Sequence, residues 1–198
     1  MRQGPLNALA GAARPCADAE LALVPPRAKF ALRCRPDAAA AAGQTFGVAL
    51  PDTACRAAIS GSRAALWLGP DEWLLLAAQE DAPTVIDGFS VALPDVGYSL
   101  VDVSHRSAAL TVKGPQAAVL INHGCPLDLT PAAFPIGMCT RTLFEKAEII
   151  LWRVEKHTYH VEIERSFAPY VWHMLIEARE ELIAAPAIDI APYQISQS

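Results

Sequence analysis

At 198 residues the chain is long enough for one well-cored domain, and a composition that is 53% hydrophobic and 19% charged is rich in apolar residues for a soluble monomer. Either the core is large or part of the surface is meant for a partner. A net charge of −5, with no cluster of Lys and Arg anywhere, argues against nucleic acid or an anionic membrane as the main partner.

The start, MRQGPLNALAGAARPCADAE, has an apolar centre too weak and too interrupted by Gly for a signal peptide. Residues 1–26, rich in Ala and Pro, read as an N-terminal arm lying on the surface. Residues 29–35 (KFALRCR) alternate as a first strand, and Pro36-Asp37 opens an Ala-rich segment with high helix propensity as far as Gly43. A short apolar run over 46–50 closes at Pro51-Asp52. In residues 64–78 (AALWLGPDEWLLLAA) two short strands flank Gly69-Pro70-Asp71, which is good turn chemistry, so a hairpin is expected. Residues 81–93 predict a helix with Asp81 as N-cap and Pro83 in its first turn. A turn over 94–97 leads into a strand over 98–103.

Residues 102–129 (DVSHRSAALTVKGPQAAVLINHGCPLDL) hold the unit around which the rest is arranged. Ala108, Leu110 and Val112 share one strand face, and the period then changes at Gly114-Pro115. Pro115 suits the first position of a helix carrying Ala117, Leu120 and Ile121, with Gly124 as its C-terminal stop. A loop over 128–137 precedes strands expected at 138–144, 148–154 and 158–165. In the last, Tyr159, Val161 and Ile163 alternate with His160, Glu162 and Glu164, the pattern of a sheet with one buried and one wet face. Residues 168–184 carry Val171, Met174, Leu175, Ala178 and Leu182 on one helical stripe, and residues 186–198 form a polar tail. The expected fold is α+β, antiparallel or mixed sheets with packed helices, in a single domain of one or two lobes over residues 27–185.

Cys16, Cys34, Cys55, Cys125 and Cys139 are odd in number, widely spaced and free of CxxC pairs, which points away from disulfides or zinc and toward a reducing cytoplasm. No apolar run approaches the roughly 20 residues that span a bilayer. His105 with Arg106 is the most suggestive polar cluster, either a carboxylate-binding pair or simply the polar link between two strands. Cys125 lies near His123, but residues two apart at a helix end do not face each other, so a buried structural thiol is expected. Glu162 and Glu164 read as solvated, and His157, His160 and His173 lack metal-ligand spacing. Trp67, Trp73, Trp152 and Trp172 serve either the core or an interface. There is no G-x-G-x-x-G, P-loop or G-x-S-x-G, and no catalytic constellation stands out.

Several stretches together resemble the gamma subunit of heterotetrameric sarcosine oxidase: ALWLGPDEWLLL at 65–76, the whole of 102–129, residues 134–144 with Gly137 and Arg141-Thr142-Leu143-Phe144, and RSFAPYVWHML at 165–175. The resemblance implies a fold similar to the folate-binding region of the glycine-cleavage aminomethyltransferase. It implies an accessory, non-catalytic role in a complex that oxidatively demethylates sarcosine to glycine and passes the one-carbon unit to tetrahydrofolate. The partners implied are the alpha, beta and delta subunits, with FAD, FMN, NAD and tetrahydrofolate held by the complex rather than by this chain. The alternative is a stand-alone folate-binding or aminomethyltransferase-like protein, in which His105, Arg106 or Arg141 would contact a folate glutamate tail. For the interface the resembling motifs single out Trp73, Arg106, Arg165 and Tyr170, at turns or a helix start where side chains tend to project. An apolar docking face left bare would also let the isolated chain pair with itself.

Overall fold

The computed structural model describes residue 6, residues 15–93 and residues 97–184. The expected tail over 186–198 and half of the expected arm, residues 1–5 and 7–14, lie outside the described residues. Two antiparallel sheets of five strands form the frame. The first runs in the order β1 (Glu20–Leu23), β7 (Ser107–Lys113), β10 (Thr158–Glu164), β9 (Ala147–Glu155) and β8 (Cys139–Phe144). The second runs β3 (Ala57–Ser60), β4 (Arg63–Gly69), β5 (Glu72–Ala77), β2 (Ala28–Cys34) and β6 (Tyr98–Asp102).

Strand alternation gives each sheet two faces. The outer face of the first sheet carries Leu110, Val112, Ile149, Leu151, Tyr159, Val161 and Ile163, and α3 (Ala117–Asn122) and α4 (Ala168–Ala184) pack on it through Leu120, Ile121, Val171, Trp172 and Leu175. The outer face of the second carries Phe30, Leu32, Ala65, Trp73 and Leu75 and is covered by α1 (Pro36–Phe46) and α2 (Ala82–Ala92) through Ala38, Ala42, Phe46, Val85 and Phe89. The inner faces meet each other, with Ala64, Leu66, Leu74 and Leu76 against Cys139 and Trp152. The result is four layers, helix, sheet, sheet, helix, in the α+β class.

The expected hairpin is β4–β5, with Trp67 opposite Trp73. The expected Ala-rich helix is α1, but it runs past Gly43 to Phe46 and ends at Gly47, whose φ of 81° suits glycine alone. Gly124 does not serve as a left-handed stop for α3. A Cβ there would lie 2.8 Å from the Phe144 ring, so the residue is small because an aromatic packs on it. Pro115 falls before α3, which begins at Ala117.

The turn between β7 and α3 shows where the structure departs from the expected arm over 1–26. Gly114 takes a φ of 129°, and a Cβ would meet the Asp18 carbonyl at 2.4 Å. Gln116 N–H donates to that same carbonyl at 2.8 Å, and the chain then continues into β1, antiparallel to β7 with Glu20 opposite Lys113. Residues 20–23 therefore belong to the sheet rather than to a surface arm. A strand of four residues before Pro25-Pro26 is too short to show its period.

Candidate functional site

β10 corrects one reading of the sequence directly. At His160 and Glu162 its second face is not wet, because the second sheet covers it there, whereas Glu164 at the strand end stays partly exposed as expected. Glu162 is 2% exposed and Lys29, across the layer on β2, is 4% exposed. A carboxylate this deep is tolerable only when its charge and lone pairs are all met. Lys29 Nζ donates to Glu162 Oε2 at 2.5 Å, to Ser107 Oγ at 3.0 Å and to the Ser107 carbonyl at 3.2 Å. The Ser107 hydroxyl donates to Glu162 Oε2 at 2.6 Å, and His160 Nε2 lies 2.9 Å from Oε1. Since the carboxylate only accepts, that imidazole nitrogen carries the hydrogen. Burial pushes the Glu162 carboxyl up, but the His160 contact and the Lys29 ammonium outweigh it and hold it at about 2. Lys29 joins one sheet to the other, and its backbone is tied to the crossover between them. Val103 N–H donates to the Lys29 carbonyl at 2.8 Å, Lys29 N–H donates to Ser104 Oγ at 3.0 Å, and Ser104 donates to Asp102 Oδ1 at 2.5 Å.

Beyond this network the layer opens into a cavity of about 120 Å³, lined by residues including Ala31, Leu74, Val103 and Ile150 on its floor. Glu72, Arg106, Arg141, Glu148 and Glu164 also line it. Arg141 on β8 bonds to Glu72 on β5, a second tie between the sheets, and Arg33 reaches the same carboxylate at 2.7 Å. Burial alone would raise the Glu72 carboxyl, but the Arg141 hydrogen bond and the charges of Arg141 and Arg33 hold it below the usual carboxylate range. Arg106 binds Glu164 through Nε and Nη2 at 3.0 and 2.8 Å.

Of the residues marked out in the sequence, Arg106 and Arg141 come together at this cavity, while His105 is exposed on the crossover and is not among the cavity-lining residues. Trp73 does not project from its turn. It is 2% exposed within the helix-backed core, and its indole N–H donates to the Pro51 carbonyl at 2.9 Å. Alternation decides this, since Trp73 shares its face with Leu75 and Ala77, which point toward α1 and α2. Arg165 is exposed just before α4, and Tyr170 is half-buried against the core beneath that helix. Cys125 is buried with its thiol 3.9 Å from Thr142 Oγ1, while exposed His123 is turned to the Val119 carbonyl, so the two form no nucleophile–base pair. Lys29, Ser107, His160 and Glu162 were missed. Lys29 and Glu162 stand 133 positions apart, and each alone looks like the solvated half of an alternating strand.

Tetrahydrofolate does not fit this cavity. Pockets for molecules of that size measure roughly 300–1,000 Å³, and the Arg106 and Arg141 guanidinium groups are already held by glutamates. At the other end of the layer a shallow hollow of about 350 Å³ is lined by Arg27, Arg63 and Trp152 among others. Its arginines are likewise engaged, Arg27 with the Ser62 carbonyl and Arg63 with Asp81 and the Phe46 carbonyl. At the cavity the Ser107 hydroxyl is bonded to both Lys29 and Glu162, so all three groups are engaged with one another.

The profile of the Sarcosine oxidase, gamma subunit family matches residues 32–181. The chain belongs to that family. The sarcosine oxidase subunit gamma of Corynebacterium sp. (strain U-96) is 34% identical over 148 residues, covering 74% of this chain and 71% of that protein. A chain of heterotetrameric sarcosine oxidase from Corynebacterium sp. U-96, solved in complex with pyrrole 2-carboxylate, superposes with a TM-score of 0.85 at 30% identity. The match covers 93% of this chain and 98% of that one. The glycine cleavage system aminomethyltransferase T from Bartonella henselae matches at a TM-score of 0.62 and 12% identity, over 81% of this chain and 46% of that one, a likeness of fold alone.

Proposed function

We propose that this chain is the non-catalytic gamma subunit of a heterotetrameric sarcosine oxidase. It assembles with the alpha, beta and delta subunits, whose larger members hold FAD, FMN, NAD and tetrahydrofolate and demethylate sarcosine to glycine. The observation that carries this reading is the superposition over nearly the full length of both chains. The interior supports it, because the conspicuous buried polar groups, Lys29, Glu162, His160 and Ser107, are spent on one another in tying two sheets together. The reading places the complex in the cytoplasm, in keeping with five unpaired cysteines. Arg165, exposed before α4, and Tyr170 on that helix are proposed to lie at the subunit interface.

Co-expression with the other subunits followed by size-exclusion chromatography tests the assignment. The chain is expected to co-elute with a yellow, flavin-absorbing complex. A flavin complex that assembles without it, leaving the chain to elute alone, would overturn the reading.

A further inference from the structure

We infer that the open end of the inter-sheet layer is a socket for an arginine side chain presented by a partner subunit. This rests on the subunit reading above and names one contact within it.

Size, polarity and charge each point to such an occupant. A cavity of about 120 Å³ is close to the roughly 150 Å³ apolar cavity that holds benzene, so it admits about six or seven non-hydrogen atoms, the content of one long side chain. The floor of Ala31, Leu74, Val103 and Ile150 suits an aliphatic stem, and the rim offers carboxylates to its head. Four glutamates line the cavity, Glu72, Glu148, Glu162 and Glu164, against two arginines, Arg106 and Arg141. Three of the glutamates are already paired, with Arg141 and Arg33, with Lys29 and His160, and with Arg106. Among the described charged groups of the lining, Glu148 alone has no ion pair or hydrogen bond. It lies on the inner face of β9, two positions from Ile150, with its carboxylate free for a cation. A guanidinium matches a carboxylate with two parallel N–H donors, and arginine is enriched at the buried centres of interfaces.

Register places apolar side chains on the same surface. Val101 on edge strand β6 lies opposite Ala31, and Leu143 on edge strand β8 lies opposite Glu148. Directly paired residues share a face, so both flank the cavity, and each is 50% exposed. An apolar surround of this kind keeps water from a central charged contact.

The test compares association of the wild-type chain and two variants with the other subunits, by titration at 50 and 300 mM NaCl. Glu148→Lys changes an exposed position, so the isolated variant keeps its thermal midpoint, and it is expected to weaken assembly about tenfold or more. Glu148→Gln is expected to weaken it less and to flatten its dependence on salt. Ala31→Phe, which fills the cavity from its floor, should abolish assembly if it folds; if it does not fold, the Glu148 variants still decide. Wild-type affinity and salt dependence in both Glu148 variants would overturn the socket while leaving the subunit reading intact. Failure of the wild-type chain to assemble would overturn both. Binding of ethylguanidinium to the isolated chain, with assembly untouched by Glu148→Lys, would make this a small-cation site and also overturn the docking.

Discussion

The faces backed by helices and the face shared by the two sheets come from the same ten strands yet hold different chemistry. Over the helices' side, every position that alternation turns inward on β5 or β10 is apolar, from Trp73, Leu75 and Ala77 to Tyr159, Val161 and Ile163. On the shared side an apolar zone of Leu66, Leu76, Cys139 and Trp152 gives way within two residues to Lys29, His160 and Glu162, and then to the ion pairs at the cavity. Helices can slide to optimise packing, so an apolar face suffices for them. Two sheets meeting face to face need their relative position fixed, and a directional pair such as Lys29–Glu162 specifies it more sharply than methyl groups do. Burial of that pair is a poor source of net stability, since desolvation offsets the attraction. Its value is in register.

The largest effects come from breaking each side at its centre. Trp172→Ala should cost about 3–5 kcal/mol, through lost burial and a cavity under α4. Glu162→Leu should cost a comparable 3–5 kcal/mol for a different reason, because Lys29 is left buried and unpaired. The two are separated by a second substitution: Lys29→Met combined with Glu162→Leu should recover most or all of the loss, whereas no single change rescues Trp172→Ala. Urea unfolding of the four variants reads this, and a double variant as unstable as Glu162→Leu would refute the unpaired-charge account.

pH sharpens the same contrast. The Glu162 carboxyl is held at about 2 in the fold against 4.5 in the absence of its surroundings. The folded state therefore favours the ionised form, and the stability this contributes is complete at neutral pH and is lost as pH falls from about 5 toward 2. The urea midpoint of the wild type should drop across that window more steeply than that of Lys29→Met with Glu162→Leu. Parallel profiles would remove Glu162 from the acid response.

Smaller effects follow. Gly124→Ala should cost about 1–3 kcal/mol, because the new Cβ displaces the Phe144 ring from 2.8 Å, and thermal unfolding would show it. Arg106→Ala, whose pair with Glu164 stands largely in solvent, should change stability by less than about 1 kcal/mol.

The helix-backed half was legible in the sequence because local period reports it. β2, the β4–β5 hairpin, β8 to β10 and α4 all follow from spacing alone, as does the switch from strand to helix at Gly114. The shared half was not. A strand with one apolar and one polar face looks identical whether water or another sheet covers the polar side, so His160 and Glu162 look solvated from the sequence. Only their meeting with Lys29, from a strand near the other end of the chain, distinguishes the cases. β1 and β3 escaped for a simpler reason: at four residues each, period-two alternation has too few turns to register. Trp73 shows a residue beside a turn following its strand face rather than the turn.

In the function proposed above, this chain supports an enzyme without taking part in its chemistry. Sarcosine turnover per flavin, measured on the assembled fraction of complexes carrying His105→Ala, Arg106→Ala or Arg141→Ala, tests it most directly. Turnover equal to that of the wild-type complex is the predicted result, even where less complex forms. A large fall in turnover within intact complexes would place one of these side chains in the reaction and overturn the non-catalytic role.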